Sequence, residues 1–107
     1  MIRIIWEFTV KGDAIALFEQ AYGPDGVWAV LFRAYPGYRG TTLLRDADNP
    51  RRFLTIDRWE SSAQYVAMHE AARAEYARID AECEGWTEAE AKIGEFRECA
   101  LDGDTGQ

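Results

Sequence analysis

A chain of 107 residues is one domain's worth of polypeptide, long enough to bury a single hydrophobic core and too short for two. Four Trp, five Tyr and five Phe mark a folded globular protein whose aromatic surface must be covered, by an internal pocket or by a subunit interface. The formal charge is −7, and Arg33, Arg39, Arg45, Arg51, Arg52 and Arg58 are scattered among acids, which argues against nucleic acid as a partner because phosphate binding needs a gathered positive footprint.

Ile2, Ile4, Trp6, Phe8 and Val10 alternate with Arg3, Ile5, Glu7 and Thr9, the period-two signature of a strand with one strongly apolar face. A chain that opens on strand has no signal-peptide pattern, and no apolar run approaches membrane-spanning length, so a cytoplasmic protein with no membrane partner is expected. Gly12 and Asp13 break the strand and offer a helix N-cap. Ile15, Phe18 and Tyr22 then recur at helical spacing. Gly23 to Gly26 reads as a turn, with Asp25 placed to cap a short helix running to Arg33. That helix is apolar on most sides, so it either plugs one end of the core or lines a cavity.

Pro36-Gly37 closes this segment, and Tyr38 to Asp46 reads as a second strand with a thin, bulge-prone middle at Gly40 to Thr42. After a polar hairpin loop, Arg52 to Trp59 forms a third strand that carries apolar bulk on both faces. Such a strand is covered on both sides, by helices on one and by a second subunit on the other. Ser61 and Gln64 stand at the spacing of a reciprocal cap, so a long helix starts near Ser62. It is expected to reach Ile79, with Tyr65, Met68, Ala72, Tyr76 and Ile79 in one stripe and His69 on its flank. Asp80 to Gly85 is read as the acidic close of that helix, Trp86 as an anchor, and Glu88 to Phe96 as the last strand. Cys83 and Cys99 are expected as reduced structural thiols. The domain spans residues 1–99, and the polar tail 100–107 is expected to be mobile.

The order β-α-(α)-β-β-α-β is the split βαβ pattern of a ferredoxin-like α+β fold, a four-stranded antiparallel sheet with helices on one face. A sheet whose other face also carries Ile and Phe is most simply completed by a homodimer.

The strand ending Trp59-Glu60-Ser61, followed by a helix with Tyr65 and then His69, resembles the second half of the antibiotic biosynthesis monooxygenase family, and the order of elements extends the likeness over residues 1–97. The resemblance implies a dimeric α/β barrel. It also implies oxidation of a small phenolic or quinol-like compound by molecular oxygen without a cofactor, the protein supplying a base and the groups that hold the anion. Haem-degrading relatives use an Asn on the first strand and a Trp and His on this helix; Glu7, Met68 and Arg78 stand near those positions, which disfavours haem chemistry.

The chain carries no phosphate loop, zinc spacing or nucleophile elbow, and a single His, so no metal site is expected. His69 is either a helix-flank histidine bonded to a neighbouring strand or the catalytic base. Trp6, Trp28, Trp59 and Tyr65 either form core or stack on a planar aromatic ligand, with Trp6, Trp59 and Tyr65 taken as pocket residues. Asp57, a charge within a strand, must be paired or ligand-bound if it faces the interior, and an Arg partner is expected. The competing reading is a non-catalytic dimeric barrel that binds a small ligand or serves a stress-associated role.

Overall fold

In the computed structural model, which describes residues 1–99, the alternating segments become β1 (Ile2–Val10), β2 (Tyr38–Arg45), β3 (Arg52–Trp59) and β4 (Thr87–Arg97). They pair antiparallel in the order β2-β3-β1-β4, the ferredoxin-like arrangement expected from the sequence. The expectation of a mobile tail at 100–107 lies outside the described residues. Four helices, α1 (Ile15–Tyr22), α2 (Val27–Arg33), α3 (Ser62–Ala71) and α4 (Arg73–Cys83), cover one face, and a 3₁₀ turn at Glu84–Trp86 leads into β4. No helix among these residues is long and apolar enough to cross a membrane.

Alternation decides which side chains meet. Ile4, Phe8 and Val10 of β1 share the covered face with Phe53 and Trp59 of β3, and all five are buried. They pack against Phe18 of α1, Leu31 and Phe32 of α2, Met68 of α3, Ala72 between the last two helices, and Ile79 of α4. Removing aromatic and aliphatic side chains of this size from water contributes roughly 1.5–3 kcal/mol each. On the opposite face Ile5 and Ile56 lie side by side, and Leu44 and Phe96 remain 45% and 47% exposed.

Several local expectations are corrected. The helix expected to run unbroken from Ser62 to Ile79 bends at Ala72, whose ψ of 17° leaves the helical range. Asp80 to Cys83 are helical, so the acidic stretch ends the helix later than composition suggests. Neither Asp13 nor Asp25 caps a helix: α1 and α2 begin after Ala14 and Gly26 with no side-chain cap, and Asp25 instead pairs with Arg33 at 2.8 Å. The reciprocal cap is half formed. Gln64 donates its backbone N–H to Ser61 Oγ at 3.2 Å, while the Ser61 hydroxyl donates to Gln64 Oε1. Val27 and Val30 are exposed, so α2 has a solvent face after all.

Two of the three register shifts in the sheet set which residues face the cavity; the third lies at the end of β1, between Thr9 and Val10. Of the two, one lies between Tyr38 and Gly40, the other in β4 opposite Ile5 and Trp6. An extra residue flips the alternation beyond it. Strict alternation would put Glu90, Lys92, Gly94 and Phe96 on one side of β4. The bulge instead pairs Trp6 with Lys92 and Phe8 with Glu90 on the covered face, and sends Phe96 to the other.

Candidate functional site

A cavity of about 260 Å³ opens between the sheet and its helices. Its floor is made by Trp6 and Phe8 of β1, Thr41 of β2, and Thr55 and Asp57 of β3, with the exposed Glu90 of β4 at its edge. Tyr22, Trp28 and Phe32, with Tyr76 and Asp80 of α4, complete the wall. The hollow has a local cause. Thr41, Thr55 and Asp57 are short residues at the centre of a face otherwise filled by Phe and Trp, and the aromatic side chains from the helices bridge the gap rather than fill it.

Asp57 is the most perturbed acid in the site. Its Oδ1 accepts a hydrogen bond from Thr41 Oγ1 at 2.5 Å, and Tyr38 in turn lies 2.5 Å from the same hydroxyl. With the Thr41 proton committed to the carboxylate, Tyr38 is the donor to Thr41. Burial pushes the Asp57 carboxyl from 3.8 up to about 6, against the opposing pull of the Thr41 hydrogen bond and the Arg58 charge. The expected Arg partner is absent among the described residues. Asp57 and Arg58 are consecutive on a strand and so point to opposite faces, where Arg58 donates to Thr42 Oγ1 at 2.8 Å.

The residues singled out from sequence divide into two groups. Trp6 and Asp57 form the cavity floor. Trp59 is completely buried, edge-on to Phe32 and Tyr65, and sits in the core beside the site. Tyr65 and His69 are half-buried and stand one aromatic layer behind the wall, with the His69 ring 4.6 Å from Tyr65 and 4.7 Å from Tyr76. Burial, with the Lys92 ammonium, lowers the His69 pKa, so its imidazole is neutral at pH 7. Burial also pushes the Tyr65 hydroxyl up to about 12.

Tyr76, Thr41, Thr55, Asp80 and Glu90 are wall residues that motif reasoning passes over. Tyr76 carries the one available signal, a polar aromatic inside the apolar stripe of the last helix. Glu7, the acid of β1, lies on the opposite face and pairs with Arg52 at 2.6 Å. Cys83 is buried and Cys99 exposed, both as free thiols.

The family model for antibiotic biosynthesis monooxygenase matches residues 1–78, nearly three-quarters of the chain. The chain belongs to this family. Among solved structures it is similar to the N63A mutant of SnoaB, a cofactor-independent oxygenase from Streptomyces nogalater, with 21% identity, a TM-score of 0.77, and coverage of 96% of this chain and 97% of that one. PA3566 from Pseudomonas aeruginosa follows the same path at 16% identity and TM-score 0.67, over 92% and 94% of the two chains. A conserved protein from Methanosarcina mazei Go1 does so at 12% and 0.69, over 92% of each. At these identities the likeness establishes a shared fold. No curated protein sequence matches the chain. Within the antibiotic biosynthesis monooxygenase family, this member's own cavity chemistry must therefore be read from its residues.

Proposed function

We propose that this protein is a cofactor-independent monooxygenase for a small phenolic or quinol-like compound, working as a homodimer. The observation that carries the proposal is Asp57, an acid held part-way to neutrality inside an aromatic cavity and anchored by Thr41 and Tyr38. A base whose pKa lies near the working pH is best matched to accept a phenolic proton. The aromatic walls suit a flat ring, and the volume of about 260 Å³ lies just below the roughly 300–1,000 Å³ typical of ligand sites, which favours one or two fused rings.

Asp57 accepts the phenol proton, and the phenolate gives one electron to O₂. The aryloxyl radical and superoxide combine at a ring carbon bearing hydrogen, and the peroxide anion takes back the proton held by Asp57. Loss of water from the resulting hydroperoxide leaves a carbonyl, so one oxygen atom enters the product and the other departs as water. His69, neutral and packed on Tyr76, acts through that ring as a positioning residue; Trp59 and Tyr65 fix the same layer. The exposed Leu44 and Phe96 beside Ile5 and Ile56 support a partner subunit on the outer face, because an apolar surface of this kind gains from being covered.

Oxygen uptake on a panel of hydroquinones and hydroxynaphthalenes under ¹⁸O₂ tests the reading. One labelled oxygen per product, lost in the Asp57→Asn variant, is the expected result. Binding of these compounds with no uptake above the uncatalysed rate would return the protein to the class of non-catalytic ligand-binding barrels.

A further inference from the structure

The cavity's charge is one-sided. Three of its wall residues, Asp57, Asp80 and Glu90, are carboxylic acids, and none of the wall residues is Lys, Arg or His. Among the described residues none of the three acids has an ion-pair partner, although seven pairs form elsewhere on the surface. Lys92, paired with Trp6 across the sheet, is not a wall residue, and its ammonium lies 5.5 Å over the Tyr65 ring. The acids are also arranged in depth: Asp57 lies on the floor, while Asp80 and Glu90 are exposed and so stand at the rim. Burial raises the Tyr76 hydroxyl pKa, with smaller contributions from Tyr65 and from the charges of all three acids, and burial with Asp80 raises that of Glu90.

This arrangement is poorly suited to an anionic ligand and is not built for a metal ion. No three His, Cys, Asp or Glu side chains converge at ligating distance among the described residues. The charge is instead spread around rings whose faces attract a cation: Trp6, Phe8, Tyr22, Trp28, Phe32 and Tyr76. Trp28, 8% exposed and on the wall, has an indole N–H without a hydrogen-bond partner among the described residues, as does Trp59 in the closed core, so it is able to take an acceptor from a ligand without requiring one.

We infer that the ligand of this cavity is a cationic hydroxyaromatic amine, bound with its phenol toward Asp57 and its protonated amine at the rim between Asp80 and Glu90. This names the substrate class of the proposed oxygenase and rests on that reading for its catalytic consequence, but not for its binding. The ammonium also offsets the electrostatic cost of forming a phenolate among carboxylates.

Three probes of nearly the same shape separate the possibilities: tyramine, 4-ethylphenol and 4-hydroxyphenylacetate, which differ in carrying an ammonium, no charge or a carboxylate. Their affinities for the full chain, measured by calorimetry or tryptophan quenching at low salt, are expected to fall in that order. Tyramine should bind at least about ten-fold tighter than 4-ethylphenol. Glu90→Gln with Asp80→Asn should shrink that preference to about two-fold, and raised salt should do the same to the parent. Equal affinities for the three, or tightest binding of the carboxylate, would overturn the inference and leave the oxygenase proposal standing on its neutral substrates. Charge-ordered binding without oxygen uptake on any hydroxyaromatic amine would support the ligand class and remove the oxygenase.

Discussion

Replacing Asp57 by Asn separates what this residue does for folding from what it does for chemistry. A carboxyl whose folded pKa is raised from 3.8 to about 6 is harder to ionise in the folded protein than in the unfolded chain. Its contribution to stability is therefore complete below pH 3.8 and declines as pH rises toward the folded value, with the loss finished above about pH 6. A shift of about two pKa values corresponds to about 3 kcal/mol at pH 7. Asn has nearly the same shape, carries no charge, and still offers an oxygen to the Thr41 hydroxyl. Its amide hydrogens would face the cavity without a protein partner, so the net gain at neutral pH is expected to be about 1–3 kcal/mol.

The assay is urea unfolding of parent and Asp57→Asn at pH 4, 6 and 8. The difference between the two proteins should be smallest at pH 4 and reach its full value by pH 8, where the variant is the more stable of the two. Each kcal/mol moves the melting temperature of a domain of this size by roughly 4–8 °C. Over the same range the parent's kcat/KM should rise through a midpoint near pH 6, whereas the variant should lose about 10²- to 10⁴-fold and show no such midpoint. A variant that is equally or less stable than the parent at every pH refutes the claim that burial holds this acid near neutrality. A fully active variant refutes its role as base.

Changing His69 to Gln should lower kcat/KM by less than about ten-fold, well short of the loss at Asp57, because the imidazole acts through Tyr76; oxygen uptake by the two variants side by side checks the order. Placing Glu at both Leu44 and Phe96 should convert a dimer to a monomer with its helical circular dichroism intact, as light scattering would show, and a parent chain that is already monomeric would refute the covered outer face. Gly37 has a φ of +98°, and a Cβ there would lie 2.6 Å from the Gln64 side chain, so Gly37→Ala should cost roughly 1–3 kcal/mol in urea unfolding.

Much of the fold is legible because alternation is a local signal. Ile2 to Val10 and Arg52 to Trp59 each announce a strand and its buried face, and Gln64 to Ile79 carries the stripe that seats the helices. The bend at Ala72 has no such signal, since neither Pro nor Gly marks it and Ala is a strong helix former. The site is less legible than the scaffold for a different reason. Asp57 stands out as a charge in a strand, but a hollow is made by what neighbouring strands lack, and the meeting of Thr41, Thr55 and Asp57 depends on registers that no single segment specifies.

The β2 bulge shows how that dependence works. In a regular strand Tyr38 and Thr41, three residues apart, would face opposite sides of the sheet. The additional residue, Arg39, lies between Tyr38, paired with Trp59, and Gly40, paired with Arg58, and its guanidinium is held outside by Glu60. Beyond it Thr41 returns to the covered face opposite Asp57, which is what lets the Tyr38 hydroxyl reach Thr41 and Thr41 reach the carboxylate. The β4 bulge does the corresponding service across the cavity by turning Glu90 to the helix-covered side, at the rim next to Phe8. Both irregularities interrupt the ladder where a continuous sheet would have been simpler to build, and both bring a polar group to this cavity. Bulges that re-aim side chains in this way are typical of sites where position matters more than pairing, and here they assemble the polar half of an otherwise aromatic cavity.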